Sequence, residues 1–187
     1  MTSETYTLDG AGAIAEELDL LIRRAQEGEE GAFEEILSRF EGKALALAHH
    51  LGASRADAED IAQEAFLKLF RRIEAYEGGR RFTAYFYRIV VNATRDHLKK
   101  MGPAHRPLAE APEEAEGPAG GHAAEFERRD QIRRALLLLT DREREVVILR
   151  DLQGLSTWEV SRILRLNPIT VRRHAMQARA RLKEILG

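Results

Sequence analysis

Apolar residues recur every three to four positions from Ala13 to Lys100 and again after Ala123, the spacing of amphipathic helices. No stretch alternates with a period of two, and no internal repeat is present, so the fold class is all-α. The pattern predicts helices over 13–27, 30–51, 55–75 and 82–100, then over 124–138, 141–152, 156–164 and 168–185. Start signals support these bounds. Ser54 precedes Asp57 by three residues, and Thr140 with Glu143 and Ser156 with Glu159 have capping-box spacing. Gly28, Gly31 and the pair Gly78-Gly79 punctuate the first half. Between the two periodic halves, Met101 to His122 holds four of the chain's five prolines (Pro103, Pro107, Pro112, Pro118) and four glycines. Such a composition builds no core and is a flexible linker. The expected organisation is an N-terminal extension over 1–14, a helical domain over 15–100, a linker over 101–123 and a second helical domain over 124–187.

The most informative stretch runs from Leu155 to His174. Ser156 and Glu159 open one short helix, Asn167 caps a second, and Pro168 suits the first position inside it. Val160, Ile163, Leu164 and Leu166 supply apolar contact between the two helices. In the second, Val171, Ala175, Ala178 and Leu182 share one face, while Ile169, Arg173, Met176 and Gln177 take the other, with Arg172 at its edge. This is a helix-turn-helix whose outer face can read base edges and grip phosphates. A helical hairpin that merely shows a polar face to water is the plain alternative. The caps, the turn and five basic residues against one acidic one from Asn167 to Gly187 favour DNA.

Charge sharpens that division. Across the 187 residues the net charge is −2. Residues 1–100 carry 14 basic and 18 acidic side chains, residues 101–123 carry 1 and 4, and residues 124–187 carry 14 and 9. The basic balance sits where the helix-turn-helix lies. A hydrophobic content of 44% with 32% charged residues describes a globular chain. No apolar run approaches the roughly 20 residues that span a bilayer, so no membrane insertion is expected. Met1 to Asp9 lacks the basic start and apolar stretch of a signal peptide. The absence of cysteine rules out disulfides and thiolate metal sites and fits a cytoplasmic protein. His49-His50 is the one histidine cluster, and adjacent helical residues diverge too far to share a metal. Neither a catalytic set nor a cofactor site is predicted; the chain is not expected to be an enzyme.

Two further faces carry candidate chemistry. The third helix buries Ala58, Ala62, Ala65, Phe66, Leu69 and Ile73 and turns Asp60, Gln63, Glu64, Leu67 and Arg71 outward. An apolar centre in a polar rim is the anatomy of a protein interface, and a solvated face with one stray leucine is the competing reading. The fourth helix points Phe86, Ile89, Val90 and Ala93 inward. On another face it lines up Tyr85, Arg88, Asn92, Arg95 and Lys99, preceded by Arg80 and Arg81. Cations for a backbone, a ring for stacking and an amide for a base edge suit opened nucleic acid. A solvated basic helix is the alternative here. The basic loop Glu77-Gly78-Gly79-Arg80-Arg81 could close over an unstacked base.

These residues resemble the extracytoplasmic-function (group four) bacterial RNA polymerase sigma factors. Ala58 to Phe70 is similar to the core-binding segment of region two, Phe82 to Asp96 to its promoter-melting segment, and Leu139 to Val146 with the helix-turn-helix to region four. The resemblance implies a transcription initiation factor that binds core RNA polymerase, recognises the −10 and −35 promoter elements and helps melt DNA. It implies core polymerase on Asp60, Gln63, Glu64 and Leu67, and −10 DNA on Arg80, Arg81, Tyr85, Arg88, Asn92, Arg95 and Lys99. Ile169, Thr170, Arg172, Arg173, Gln177 and Arg179 would meet the −35 element. An anti-sigma factor is a further implied partner. Tyr85 stands where the family usually has Trp, and Ser161 and Arg165 where it has Ala and Gly, so Arg165 is expected to need a left-handed turn. A conventional helix-turn-helix regulator that is not a polymerase subunit is the rival function. Finally, the acidic first part and basic second part predict a free chain closed on itself with its recognition helix covered.

Overall fold

The computed structural model describes residues 8–77, 82–102 and 123–187. The described residues form helices and connecting turns without strands. In the N-terminal half, α1 spans Leu8–Gln26, α2 Glu30–His50, α3 Arg55–Phe70 and α4 Phe82–Met101. In the C-terminal half, α5 spans Ala123–Leu137, α6 Asp141–Val147, α7 Thr157–Leu164 and α8 Pro168–Leu186, with one π-helical turn, Ile148–Leu152, following α6.

The first half closes around aromatic rings. Phe40 of α2 meets Phe82 and Phe86 of α4 edge-on, and Phe86 stacks on Phe66 of α3. Ile36, Leu47, Ile61, Leu69, Val90 and Val91 fill the space between them and are fully buried. Each such side chain contributes about 1.5–3 kcal/mol by leaving water. α1 lays Leu21, Ile22 and Ala25 on α2. In the second half, Val146, Ile148, Leu149, Val160, Val171, Ala175 and Ala178 interlock α6, α7 and α8.

Local chemistry sets the helix ends. Ser54 Oγ accepts from the Asp57 amide, and both capping boxes form as the spacing predicts. Three boundaries differ clearly from prediction. α3 stops at Phe70 because the next residues wind into tight turns, with bonds from the Arg72, Ala75 and Tyr76 amides to the Leu69, Arg72 and Ile73 carbonyls. The helix predicted over 141–152 widens at Ile148, where the Gln153 amide bonds the Ile148 carbonyl five residues back. At the start of the chain, α1 already runs from Leu8, ahead of the predicted position 13. The proline- and glycine-rich linker lies almost wholly outside the described residues.

Candidate polymerase and nucleic-acid interfaces

α3 presents the predicted outer face. Asp60 and Gln63 are exposed, and Leu67 is 52% exposed in their midst. Glu64 is engaged on its own helix. Lys68 Nζ sits 2.8 Å from its carboxylate, and that bond holds the carboxyl below the usual carboxylate range. The sequence reading missed the aromatic part of this surface. Phe70, 60% exposed, lies one turn beyond Leu67 and touches Phe33 of α2 edge-on at 5.0 Å. With Leu37, Leu45 and Phe66 they line a groove between α2 and α3, rimmed by Glu41, Glu59 and Gln63. The spacing Gln63, Leu67, Phe70 was the available signal.

α4 is organised by a second aromatic set. Tyr76 is buried against Phe82 and lies 5.0 Å from Tyr85, and the Arg88 guanidinium sits 5.5 Å from the Tyr85 ring. The half-buried Gln26 of α1 donates through Nε2 to the Ile73 and Tyr76 carbonyls, both at 2.8 Å. This fixes the root of the segment that leads toward Arg80 and Arg81, which lie outside the described residues, as does Gly78-Gly79. Asn92 and Lys99 are exposed.

Arg95 is placed differently from its predicted neighbours. Its guanidinium grips Glu145 of α6 with two bonds, 2.5 and 2.6 Å, and Arg142 adds a third at 3.1 Å. The Glu145 side chain is 7% exposed. Nearby, Tyr87 donates to the Gln153 side chain at 2.6 Å. Gly52, after α2, has φ +113°, and a Cβ there would meet Arg144 at 3.4 Å and Leu137 at 3.5 Å. The two halves do close on each other, but the covered face is that of α4 and not the recognition helix, and the contact is not the one that the average charges predict. An acid on the basic half and an arginine on the acidic half make the pair, against the average charges.

The helix-turn-helix is built from its caps. Asn167 Oδ1 accepts from the Ile169 amide at 2.8 Å. Arg165 takes the left-handed conformation, φ 56° and ψ 44°, that its place in the turn demands. Ser161 Oγ donates to the Leu166 carbonyl at 2.6 Å, bracing the same turn. On α8, Ile169, Arg172, Arg173, Met176 and Gln177 are exposed and Thr170 is half-buried. Arg179 is held by Asp151 in a two-bond pair at 2.9 and 2.6 Å.

One chain thus carries an exposed apolar-centred face on α3, a basic aromatic helix and a helix-turn-helix with an exposed second helix. Residues 36–102 match the family Sigma-70 region 2 and residues 129–182 match Sigma-70, region 4. The ECF RNA polymerase sigma factor SigM of Mycobacterium tuberculosis is 31% identical over 160 residues, covering 86% of this chain and 80% of that protein. The chain belongs to the extracytoplasmic-function sigma factors. Among solved structures, CnrH in complex with the cytosolic domain of CnrY is 27% identical with a TM-score of 0.68, covering 89% of this sigma factor and 95% of CnrH. The sigma factor RpoE of Bartonella quintana, in complex with the anti-sigma factor NepR, shares the fold at 23% identity and a TM-score of 0.67, covering 82% and 96% of the two chains. This sigma factor acts in transcription initiation with RNA polymerase and is not a free-standing regulator.

Proposed function

We propose that this sigma factor divides its work as its surfaces divide. The α3 face, with Leu67 and Phe70 at its centre and Asp60, Gln63 and Glu64 at its rim, docks core polymerase. Leu67 and Phe70 are the anchors, because apolar side chains desolvated at the middle of an interface carry most of its energy. On α4, Tyr85, Arg88 and Asn92 receive the opened strand, with Lys99 and Arg95 on its backbone, and Arg80 and Arg81 add to the same role. Residues 124–187 anchor upstream, where Arg173 and Gln177 read base edges while Arg172 and Arg179 hold phosphates. Two of these cations must first change partner: Arg95 leaves Glu145 and Arg179 leaves Asp151. The chain works by binding alone, in the cytoplasm where polymerase acts. An anti-sigma factor is the natural antagonist, as NepR is the partner of its structural neighbour.

The observation that carries this reading is the solvent-exposed Leu67 and Phe70 pair on the same chain as an exposed recognition helix. Run-off transcription with purified core polymerase and genomic fragments tests it. The wild-type chain should direct specific transcripts. Leu67→Ala combined with Glu64→Ala should weaken core binding by about 2 kcal/mol or more while leaving duplex binding unchanged. Unaltered core affinity in that double variant refutes the assignment of the α3 face.

A further inference from the structure

Gln26 is the last residue of α1, one helical turn after the buried Ile22, and it is half-buried. It lies ahead of the region 2 match, which begins at residue 36. Its Nε2 donates to two carbonyls, those of Ile73 and Tyr76, each at 2.8 Å. A side-chain amide carries two N–H donors on one nitrogen, and both are used here. The two acceptors are the ends of one tight turn, which the Tyr76 amide closes by donating to the Ile73 carbonyl at 3.0 Å. One side chain therefore clamps a turn that has already left α3. The turn carries Tyr76, whose ring is buried. That ring meets Phe82 edge-on at 5.5 Å and lies 5.0 Å from the ring of Tyr85, tilted 45° to it. Tyr85 is half-buried, and the Arg88 guanidinium sits 5.5 Å from its centre. The clamp on the Tyr76 backbone thus reaches, through a single ring contact, a ring that α4 leaves partly open to solvent.

We propose that Gln26 is a positioning residue for capture of the opened strand: it holds Tyr76, and Tyr76 fixes the Tyr85 ring on which an unstacked base settles. The proposal rests on the role given above to α4. A stack is effective when the ring is already in place, because ordering a mobile ring offsets part of what stacking contributes. Tyr76 limits the rotamers open to Tyr85 from one side, and Gln26 keeps Tyr76 from drifting with its turn. Gln26 itself touches no nucleotide in this scheme. Its loss therefore weakens strand capture and spares the α3 face and the recognition helix, which stand on other elements.

The test uses the holoenzyme, the full-length chain on core polymerase, with a promoter mapped by run-off transcription. Fluorescence anisotropy reads its affinity for an end-labelled single strand that covers the segment opened in that promoter. Core affinity and binding of the upstream-element duplex are measured beside it. Gln26→Leu keeps the bulk and removes both donors, and Gln26→Glu keeps the shape and sets a carboxylate against the two carbonyls. Each should weaken the single strand about fivefold, the low end of what one base–aromatic stack is worth. Core affinity and duplex binding should stay at wild-type values. In a Tyr85→Ala background the same substitutions should change nothing further, since the ring that they position is gone. Wild-type strand affinity in both Gln26 variants overturns the proposal. So does a loss that is undiminished in Tyr85→Ala, and so does a parallel loss of core affinity and duplex binding, the mark of a merely structural role. Strand affinity unmoved by Tyr85→Ala removes the reading of α4 and the proposal with it. A loss in Tyr85→Ala with none in the Gln26 variants removes the role of Gln26 alone.

Discussion

Replacing Glu145 with glutamine should loosen the hold of the two halves on each other. The carboxylate is nearly buried and accepts from Arg95 across the junction and from Arg142 on its own helix. A hydrogen bond to a charged group contributes about 1.5–3 kcal/mol. The Arg95 side chain is 31% exposed, so solvent screening brings the pair toward 1–2 kcal/mol. Arg142 limits the cost of losing Arg95, since Glu145 keeps one cation. A change of 1.4 kcal/mol is tenfold in an equilibrium, so the ratio of open to closed chains should rise by roughly that factor. Because the chain has no cysteine, labels can be placed cleanly at introduced cysteines. Glu41 and Lys183, both exposed and one in each half, are suitable positions. Single-molecule energy transfer between them would report the open fraction for wild type, Glu145→Gln, Arg95→Ala and the double variant. The coupling from the cycle should be about 1–2 kcal/mol. A coupling near zero, or an unchanged distance distribution in Glu145→Gln, would refute the argument that this ion pair holds the junction.

Arg165→Gly should stabilise the chain by about 1 kcal/mol, because a left-handed residue with a Cβ carries a cost that glycine avoids; a lowered thermal midpoint would contradict this. Acid should destabilise the fold through His49 and His50. Burial, with the nearby positive charge of Arg133, holds both imidazoles below their ordinary value. Between that lowered value and the unfolded value of about 6.5, the folded chain binds fewer protons than the unfolded one. Stability is therefore full above about pH 6.5 and declines as pH falls below it. Denaturation midpoints should show this fall, and His49→Gln with His50→Gln should flatten it. Arg173→Ala should cost about 1–3 kcal/mol at one base position, whereas Arg172→Ala should weaken all duplexes alike; equal behaviour of the two in binding assays would merge their roles.

What could be read ahead of the structure was local. Ser54, Thr140, Ser156 and Asn167 announce helix starts through their own side chains, and the strained turn at Arg165 follows from its place after a short helix. The core faces of α3, α4 and α8 follow from periodicity, because each buried residue repeats on one side of a helix. The features that eluded the sequence depend on which helices meet. No spacing rule connects Arg95 to Glu145, Tyr87 to Gln153, or Gly52 to Arg144. Phe70 belongs in the groove between α2 and α3 only because Phe33 of another helix meets it. Tyr76 follows a segment whose helical period continues past Phe70, yet the chain leaves the helix there in tight turns whose Ile73 and Tyr76 carbonyls are met by Gln26 of another helix.

Gln26 also changes how the N-terminal half should be dissected. The family match begins at residue 36, after α1 has ended. A fragment started there would lose α1 and residues 30–35 of α2, Phe33 included, and would leave the Ile73 and Tyr76 carbonyls without the amide that bridges them. A fragment started at residue 30 instead would keep α2 whole, with Phe33 against Phe70, and under the roles proposed above its core-polymerase affinity should be unchanged. Under the same proposed roles strand opening should suffer, because Ile73 and Tyr76 would lose the side chain that ties them to α1. Through Gln26, α1 thus holds a segment that it precedes by some fifty residues of sequence.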